Sequence, residues 1–370
     1  MPLFQKIPVR LGATRYEVLI GCHHLHGLAR RIRQLQLGTH PILLTNPLVL
    51  RSHGRAVARA LLQRGFPIKV VTIADTERSK SMSVLSRVLT RLAAWDGPGR
   101  RLFLVLVGGG VVGDLGGLAA GLYRRGIPYI QVPTTLLAQA DSSIGGKTGV
   151  DLPQGKNLAG LIVQPGLVFV DVAFLGSLTQ RQFRSGLAEI IKCGIVQDAA
   201  LFSFLEHTSV SRLRRSDRLL GWLVARAVRV KASVVERDER DSKGIRVVLN
   251  LGHTLGHAVE AASRFSGAYT HGEAISVGMC AAAEVARRMG LLHTPAANRI
   301  ENLLRRAGLP TTLRGVGLQQ ITNAMAHDKK WADGAHRWVL PTRIGRVAIV
   351  DGISQTLVKD VVARLMRKKR

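Results

Sequence analysis

Two histidines spaced four residues apart lie in "NLGHTLGHAVE" at residues 250–260. The stretch is typical of a helix start, so His253 and His257 should lie on one face about one turn apart. A catalytic zinc-type site needs three nitrogen or oxygen ligands and one open position. The pair is therefore compatible with two metal ligands, with one ligand and one acid–base group, or with two polar residues on a helix surface.

Further donor groups for a metal lie in two other segments. "YTHGEAISVGM" offers His271 and Glu273 at a second helix start, and "SGLAEIIKCG" offers Glu189 with Lys192 about one turn later. Two histidines and a carboxylate suit Zn²⁺, Co²⁺ or Fe²⁺. The H-E-x-x-H pattern of zinc proteases is missing, because a threonine follows the first histidine. Spacing alone does not bring the three segments together.

A glycine loop, "VLVGGGVVGDLGG" at 105–117, carries the pattern G-x-G-x-x-G between an expected strand and an expected helix. Such glycines let the backbone approach a phosphate, and the helix N-terminus supplies N–H donors. The next strand carries no acidic residue for a ribose. The loop thus favours phosphate or dinucleotide binding over a tight packing turn, with ribose contacts from Asp114, Glu77 or Lys80.

A third dense stretch, "PTTLLAQADSSIGGKTGVDLPQGKN" at 133–157, combines hydroxyls with Asp141, Lys147, Lys156 and Asn157. It lacks the first glycine of a Walker A motif, which excludes an NTPase loop of that type. An anion pocket and a solvated polar loop explain the stretch equally well. Other cations lie near the histidine segments, and together they would suit a substrate with two anionic groups: Lys192, Lys231, Arg246, Lys329 and Lys330.

The composition bounds the class of protein. The chain has 370 residues, about right for two domains, and 46% of them are hydrophobic. We find no signal-peptide pattern and no apolar run long enough to span a membrane, and three widely spaced cysteines suit a reducing cytosol. The formal net charge is +29, but the basic residues are scattered without interleaved aromatics. A solvated surface is therefore favoured over nucleic-acid binding.

Short apolar runs alternate with helical patterns in the first part of the chain and give way to helices after about residue 177. "IPVRL" and "YEVLIG" predict a strand pair, and "PILLTN", "PIKVVTI", "RLFLVLV" and "PYIQVPT" predict further strands. "HRWVLP" and "GRVAIVDG" predict a short pair near the end. We expect a Rossmann-like parallel-sheet α/β domain at 1–176 and a helical domain at 177–370. The cleft between two such domains is the usual place for a site.

Taken together, the motifs resemble 3-dehydroquinate synthase and the wider sugar-phosphate cyclase superfamily. The matching stretches follow the family's order from about residue 77 to 341: "GGGVVGD", "QVPTTLLAQADSSIGGKTGV", "GKN", "SGLAEIIKCG", "NLGHTLGHAVE", "HGEAISVGM" and "HDKK". The resemblance implies an NAD-binding α/β domain, a helical metal-binding domain and a cytoplasmic homodimer. The composition, for its part, predicts no membrane partner and disfavours a nucleic-acid partner.

The resemblance assigns residues as well. It implies three metal ligands, Glu189, His253 and His271, with zinc or cobalt as the ion. It implies NAD contacts from the following positions: Glu77, Lys80, Gly109, Gly110, Val111, Val112, Gly113, Asp114, Thr134, Thr135, Lys147, Lys156, Phe174 and Ser177. It implies substrate and catalytic contacts from a further set: Arg125, Asp141, Lys147, Asn157, Lys192, Lys231, Arg246, Asn250, His257 and Lys330. In the family, the residue matching Arg125 reaches in from the neighbouring subunit.

The implied activity converts 3-deoxy-D-arabino-heptulosonate 7-phosphate into 3-dehydroquinate and phosphate, a step of the shikimate pathway to aromatic amino acids. It proceeds by transient NAD-dependent oxidation, phosphate elimination, re-reduction, ring opening and aldol closure. A sister cyclase and a metal-dependent polyol dehydrogenase are the alternatives of similar architecture. A basic nucleic-acid-binding protein is the alternative from another class.

Overall fold

The computed structural model describes residues 5–12, 14–263, 267–326 and 337–367. The chain divides into two compact units, the first formed by Met1–Leu178 with Ser216–Arg240 and the second by Thr179–Arg215 with Asp241–Arg370. The chain therefore leaves the first unit, returns to it for one long helix, and then completes the second. The domain boundary expected after residue 176 stays a prediction.

The regular elements are numbered in chain order. Strands β1 to β11 span Gln5–Leu11, Thr14–Gly21, His40–Thr45, Lys69–Thr72, Leu102–Gly108, Tyr129–Pro133, Lys147–Leu152, Gly155–Ile162, Leu167–Asp171, Trp338–Arg343 and Arg346–Val350. Helices α1 to α14 span Leu28–Gln34, Pro47–Val49, Arg55–Leu62, Met82–Trp95, Gly110–Leu122, Gln180–Val196, Ala199–Glu206, Val210–Arg214, Asp217–Val235, His253–Ala262, His271–Arg288, Thr294–Arg306, Leu318–Ala326 and Gln355–Arg367.

A seven-stranded sheet in the order β1-β2-β9-β6-β5-β3-β4 forms the centre of the first unit. Neighbouring strands are parallel except for β1, which pairs antiparallel with β2 at one edge. Alternate residues of β5 enter two separate cores: Leu104 and Leu106 pack with α4 and α5, and Phe103 and Val105 pack with α1 and α3. Burial on both faces explains why β5 reads as a continuous apolar run.

All the strands that the sequence predicts are present, including the β1–β2 and β10–β11 pairs. No strand is predicted from the sequence between residues 147 and 171, where the structure has β9 and an antiparallel β7–β8 hairpin. The hairpin is rich in glycine and polar residues, and much of β8 is exposed. It therefore lacks the alternating apolar pattern by which a strand is recognised.

The second unit is helical, and three of its helices approach unusually closely. A Cβ atom on Gly272 of α11 would lie 2.0 Å from the Ser185 carbonyl oxygen of α6. A Cβ atom on Gly278 would lie 1.9 Å from the carbonyl oxygen of Gly252, which precedes α10 and has a φ of +81°. Glycines therefore let α6, α10 and α11 meet backbone to backbone. Among the described helices, none has the length and apolarity that crossing a membrane requires.

Candidate functional site

Glu189, His253 and His271 converge in the second unit, each from a different one of the three closely packed helices. Their ligand atoms lie within 4.8 Å of one another. The Nε2 atoms of His253 and His271 lie 3.9 and 3.5 Å from Glu189 Oε1. The sequence suggested these three residues as candidate ligands, but their spacing could not show that they converge. The close packing of the three helices brings them together.

Each histidine also has an acceptor at its other ring nitrogen. His253 Nδ1 lies 3.2 Å from the Leu251 carbonyl oxygen, and His271 Nδ1 lies 3.3 Å from Glu260 Oε2. A hydrogen bond at Nδ1 fixes the tautomer and leaves the Nε2 lone pair for a metal. Both rings are therefore oriented as ligands, with Glu260 acting as a buried carboxylate partner of His271.

The charges around the three residues favour a cation. Burial alone would raise the pKa of Glu189, but Lys192 and the two histidines hold it well below the usual value. Burial and Lys192 lower the pKa of His253, so that ring is neutral. Burial would lower the pKa of His271 as well, yet Glu189 and Glu260 outweigh it and raise the pKa to about 10. The His271 ring lies between the carboxylates of Glu189 and Glu260. A divalent ion bound at its Nε2 atom would replace the proton there.

The buried carboxylate of Glu189 fits the role of a metal ligand. Glu189 is 1% exposed, and its Oε1 atom accepts no hydrogen bond of normal geometry within the described part of the chain. Its Oε2 atom pairs with Lys192 Nζ. A buried carboxylate oxygen facing two ring nitrogens is the arrangement that Zn²⁺ or Co²⁺ would satisfy.

The fourth residue of the cluster, His257, lies beside the ligand set without joining it. Its ring centre is 5.2 Å from that of His253 and 6.3 Å from that of His271, and the residue is exposed. Arg246 is buried and Asn250 is half-buried in the short 3-10 helix Ile245–Asn250 that precedes α10. Lys330 lies outside the described residues.

In the first unit, the glycine loop forms the junction between β5 and α5. Gly109 is the residue before the helix, and no side chain caps its first turn. In the described part of the chain, the N–H groups of Gly110, Val111 and Val112 lie in the first turn of α5, where a helix supplies no backbone acceptor. Cβ atoms on Gly109 and Gly113 would lie 3.3 Å from Thr135 and 3.0 Å from Gln131. Glycines at these two positions therefore allow the loop to pack closely against Thr135 and Gln131, and its helix N-terminus is a suitable position for a phosphate.

Polar side chains flank this loop. Lys80 Nζ lies 2.7 Å from Asp114 Oδ2 and also donates to Asn157 Oδ1. Burial would lower the pKa of Lys80, but Asp114 raises it. Lys156 Nζ lies 3.5 Å from Glu77 Oε1. Four expected cofactor residues are thus adjacent to one another, and Asn157, expected at the substrate, joins them.

Other expected cofactor residues lie elsewhere in the first unit. The rings of His53 and Phe174 stack at 4.4 Å, and His53 Nε2 lies 2.8 Å from Ser177 Oγ. The Thr134 N–H donates to the Gly108 carbonyl oxygen, and the threonine is buried. The Thr135 hydroxyl accepts the N–H of Ala138.

Two expected substrate residues pair within the first unit. Lys231 of α9 donates to the Asp141 carbonyl oxygen and lies 2.7 Å from Asp141 Oδ1. Lys147 begins β7 and is exposed. Arg125 is also exposed, in a tight turn after α5.

Several residues that organise these sites were not predicted. Glu260 lies three residues after His257 and seven after His253 on the same helix face, a spacing that could have identified it. Arg181 of α6 binds both carboxylate oxygens of Glu273 of α11, at 2.8 and 2.7 Å, and so ties together two ligand-bearing helices. No sequence signal joins that pair.

Comparisons with known proteins agree over almost the whole chain. The family models for the N-terminal and C-terminal parts of 3-dehydroquinate synthase match residues 70–185 and 186–331. A 3-dehydroquinate synthase of Pelotomaculum thermopropionicum is 41% identical over 97% of this chain and 96% of its own.

Solved structures with the same fold include two other cyclases. A 2-deoxy-scyllo-inosose synthase in complex with carbaglucose-6-phosphate, NAD⁺ and Co²⁺ matches with a TM-score of 0.89 and 28% identity, over 97% of this chain and 100% of that one. A 2-epi-5-epi-valiolone synthase of Streptomyces hygroscopicus with NAD⁺ and Zn²⁺ bound matches with a TM-score of 0.86 and 28% identity, over 96% and 98%.

Proposed function

The chain belongs to the 3-dehydroquinate synthase family, and from that premise we propose which of its residues perform the family's reaction. The enzyme converts 3-deoxy-D-arabino-heptulosonate 7-phosphate into 3-dehydroquinate and phosphate and depends on NAD and a divalent metal. When bound, the metal supplies a Lewis acid for alcohol and ketone oxygens, and NAD supplies a hydride acceptor that is regenerated.

The first unit would bind NAD. The N–H donors at the start of α5 would hold the pyrophosphate, because a helix N-terminus favours anions. The rest of the nucleotide would be contacted by two ion pairs that the structure already contains, Lys80 with Asp114 and Lys156 with Glu77. Thr134, Thr135, Lys147 and the Phe174–Ser177 segment complete the proposed set.

The second unit would hold the metal through Glu189, His253 and His271, and this convergence is the observation that carries the proposal. Lys192 and His257 lie beside the ligand set, where they would orient substrate hydroxyls and move protons.

The remaining groups would bind the two anionic ends of the substrate. Phosphate would be held by cations and amides: Lys147, Asn157, Asn250, Lys330 and Arg125. Carboxylate would be held by Lys231 and Arg246, and Asp141 would orient hydroxyls beside Lys231. Much of the rate enhancement would come from positioning, and the departing phosphate would act as its own base.

We further propose zinc or cobalt as the ion, a homodimer as the active form and the cytoplasm as the location. The donor set of two imidazoles and one carboxylate suits either ion. Three free, buried cysteines suit a reducing compartment. Arg125 is exposed at the first unit's surface, which supports a role for it in a neighbouring subunit's site.

The metal assignment is tested with Glu189→Gln. We expect the variant to keep the fold but to lose stoichiometric zinc and phosphate release, because an amide is a poor ligand for the ion. Zinc content by mass spectrometry and circular dichroism separate the two effects. Wild-type zinc content and turnover in the variant would refute the ligand set.

The shared site is tested by mixing two variants, Arg125→Ala with strongly reduced activity and Glu189→Gln with none, after dissociation and reassociation. Mixed dimers would contain one complete site, so a 1:1 mixture should regain about a quarter of wild-type activity. No recovery in a mixture shown to contain mixed dimers would refute the contribution of Arg125 across subunits.

A further inference from the structure

The turn that carries Arg125 has an unusual backbone. The Gly126 N–H donates to the Tyr123 carbonyl oxygen at 2.9 Å, which closes a four-residue turn. Its two central residues, Arg124 and Arg125, have φ values of +49° and +61°, and Arg124 has a ψ of +33°. Positive φ at both central positions defines a type I′ turn.

Two arginines are poor residues for such a turn. Type I′ turns strongly prefer Asn-Gly at the central positions, because other side chains clash with the backbone in the left-handed region. Strained backbone of this kind persists where the surrounding structure holds it in place. Both arginine side chains must therefore contribute something that Asn-Gly would not.

Arg124 contributes an anchor. Its Nε lies 2.5 Å from Asp96 Oδ2, and the same oxygen accepts the Tyr123 hydroxyl at 2.6 Å. The Gly97 N–H donates to the other oxygen of Asp96 at 2.8 Å. The Asp96 side chain is only 8% exposed although that of Arg124 is 66% exposed. Asp96 follows α4 and Tyr123 follows α5, so the carboxylate fastens the turn to the end of a neighbouring helix.

The charge on Asp96 is part of this anchor. The Tyr123 hydroxyl, the Gly97 N–H and Arg124 together lower the pKa of Asp96. The carboxylate is therefore ionised throughout the neutral range and forms charge-assisted contacts, which are stronger than neutral ones. An amide at this position would keep the shape and lose most of the attraction.

The backbone of Arg125 is part of the turn, but its guanidinium does not help to stabilise the turn. Within the described part of the chain, it makes no hydrogen bond or ion pair, and the residue is exposed. We propose that Asp96, acting through Tyr123 and Arg124, is a positioning residue that aims Arg125 at the phosphate of the substrate in the neighbouring subunit. This inference rests on the proposed function, in which Arg125 completes that site.

The position of Arg125 affects the rate because the reaction depends on accurate placement of the substrate phosphate. Arginine has a long and flexible side chain, so a fixed backbone direction reduces the freedom it loses on binding. A misplacement of about 1 Å can lower a rate by about 100-fold. We expect Asp96→Asn to lower kcat/KM by about 10- to 100-fold, mainly by raising KM, because the phosphate is an anchoring group.

The test is a double-mutant cycle of Asp96→Asn and Arg125→Ala, followed by phosphate release and by thermal unfolding of each dimeric, metal-loaded variant. If Asp96 acts through Arg125, Asp96→Asn lowers kcat/KM in the wild-type background and has little further effect once Arg125 is absent. Its effect on the melting temperature should be the same in both backgrounds. Arg100→Ala is the matched control, because Arg100 binds the Trp95 carbonyl oxygen in the same loop without touching Asp96; its kcat/KM should be unchanged.

The outcomes are distinguishable. An equal fold-loss of kcat/KM in both backgrounds would overturn the inference and leave a structural role for Asp96. Wild-type kcat/KM in Arg125→Ala would overturn both the inference and the assignment of Arg125. A wild-type protein that releases no phosphate would overturn the proposed function itself, and the positioning role with it.

Discussion

Glu260→Gln tests whether the buried carboxylate behind His271 tunes the metal site. Glu260 Oε2 lies 3.3 Å from His271 Nδ1. A hydrogen bond to a charged group contributes about 1.5–3 kcal/mol, and this one is longer than the usual ~2.7–2.9 Å, so the lower part of that range applies. The expected loss is about 1.5–2 kcal/mol of metal-binding free energy, or about 10- to 30-fold in Kd, within the range measured for such partners.

Proton release gives a second readout of the same change. Because the pKa of His271 is raised to about 10, metal binding by the wild type should release about one proton per ion at neutral pH, and affinity should rise with pH until it approaches that pKa. Removing the Glu260 charge lowers the pKa of His271, so the variant should release less at pH 9. Calorimetry in buffers of different ionisation enthalpy measures both quantities.

Glu284→Gln is the matched control, since it also replaces a largely buried carboxylate of the helical unit but contacts no proposed ligand. Its metal affinity and proton release should equal those of the wild type, whatever its stability. If Glu260→Gln bound zinc with wild-type Kd and released the same number of protons, the role of Glu260 as the partner of His271 would be wrong.

Three further predictions concern the helical unit. Gly272→Ala should lower the free energy of unfolding by about 1–3 kcal/mol in urea titrations, because the new Cβ meets the Ser185 carbonyl oxygen at 2.0 Å; an unchanged midpoint would contradict this close approach. Burial would raise the pKa of Glu284, but three arginines lower it to about 2. The depressed value stabilises the fold above the ordinary pKa near 4.5. The difference in unfolding free energy between wild type and Glu284→Gln should therefore be about 1–2 kcal/mol at pH 7, because solvent screens the partly exposed arginines, and it should shrink as pH falls from 4.5 towards 2. Arg181→Gln should weaken zinc binding in chelator competition, because it releases Glu273 and loosens the helices that carry two ligands; wild-type affinity would limit Arg181 to a structural role.

The central sheet could be predicted from the sequence because its strands are buried on both faces and therefore form apolar runs. β5 is the clearest case, with every residue of "LFLVLVG" buried. The β7–β8 hairpin could not be predicted, because it is rich in glycine and polar residues such as Gly155 and Asn157, and much of β8 is exposed. The sequence also does not predict that α9 belongs to the first unit, because a helical pattern does not indicate which sheet the helix packs against.

The proposed metal ligands could be selected by residue type and assigned by resemblance, but their convergence is a tertiary property. It depends on glycines at 252, 272 and 278, which permit backbone contact of α11 with both α10 and α6. Glu260 has a periodic signal on its own helix. Asp96 has no such sequence signal, because its partners Tyr123 and Arg124 lie far from it in the sequence. The strained backbone of the Arg125 turn is visible only in the φ angles of the structure.

The most direct test of the account is phosphate release by the purified, zinc- or cobalt-loaded protein supplied with 3-deoxy-D-arabino-heptulosonate 7-phosphate and a catalytic amount of NAD⁺. The proposed function predicts release that requires NAD⁺, stops on addition of a chelator, and proceeds without accumulation of NADH, because the hydride is returned within each turnover. Absence of release from a protein shown to bind both NAD⁺ and metal would contradict the assigned substrate and favour a sister cyclase. Stoichiometric NADH with a polyol would favour a dehydrogenase instead.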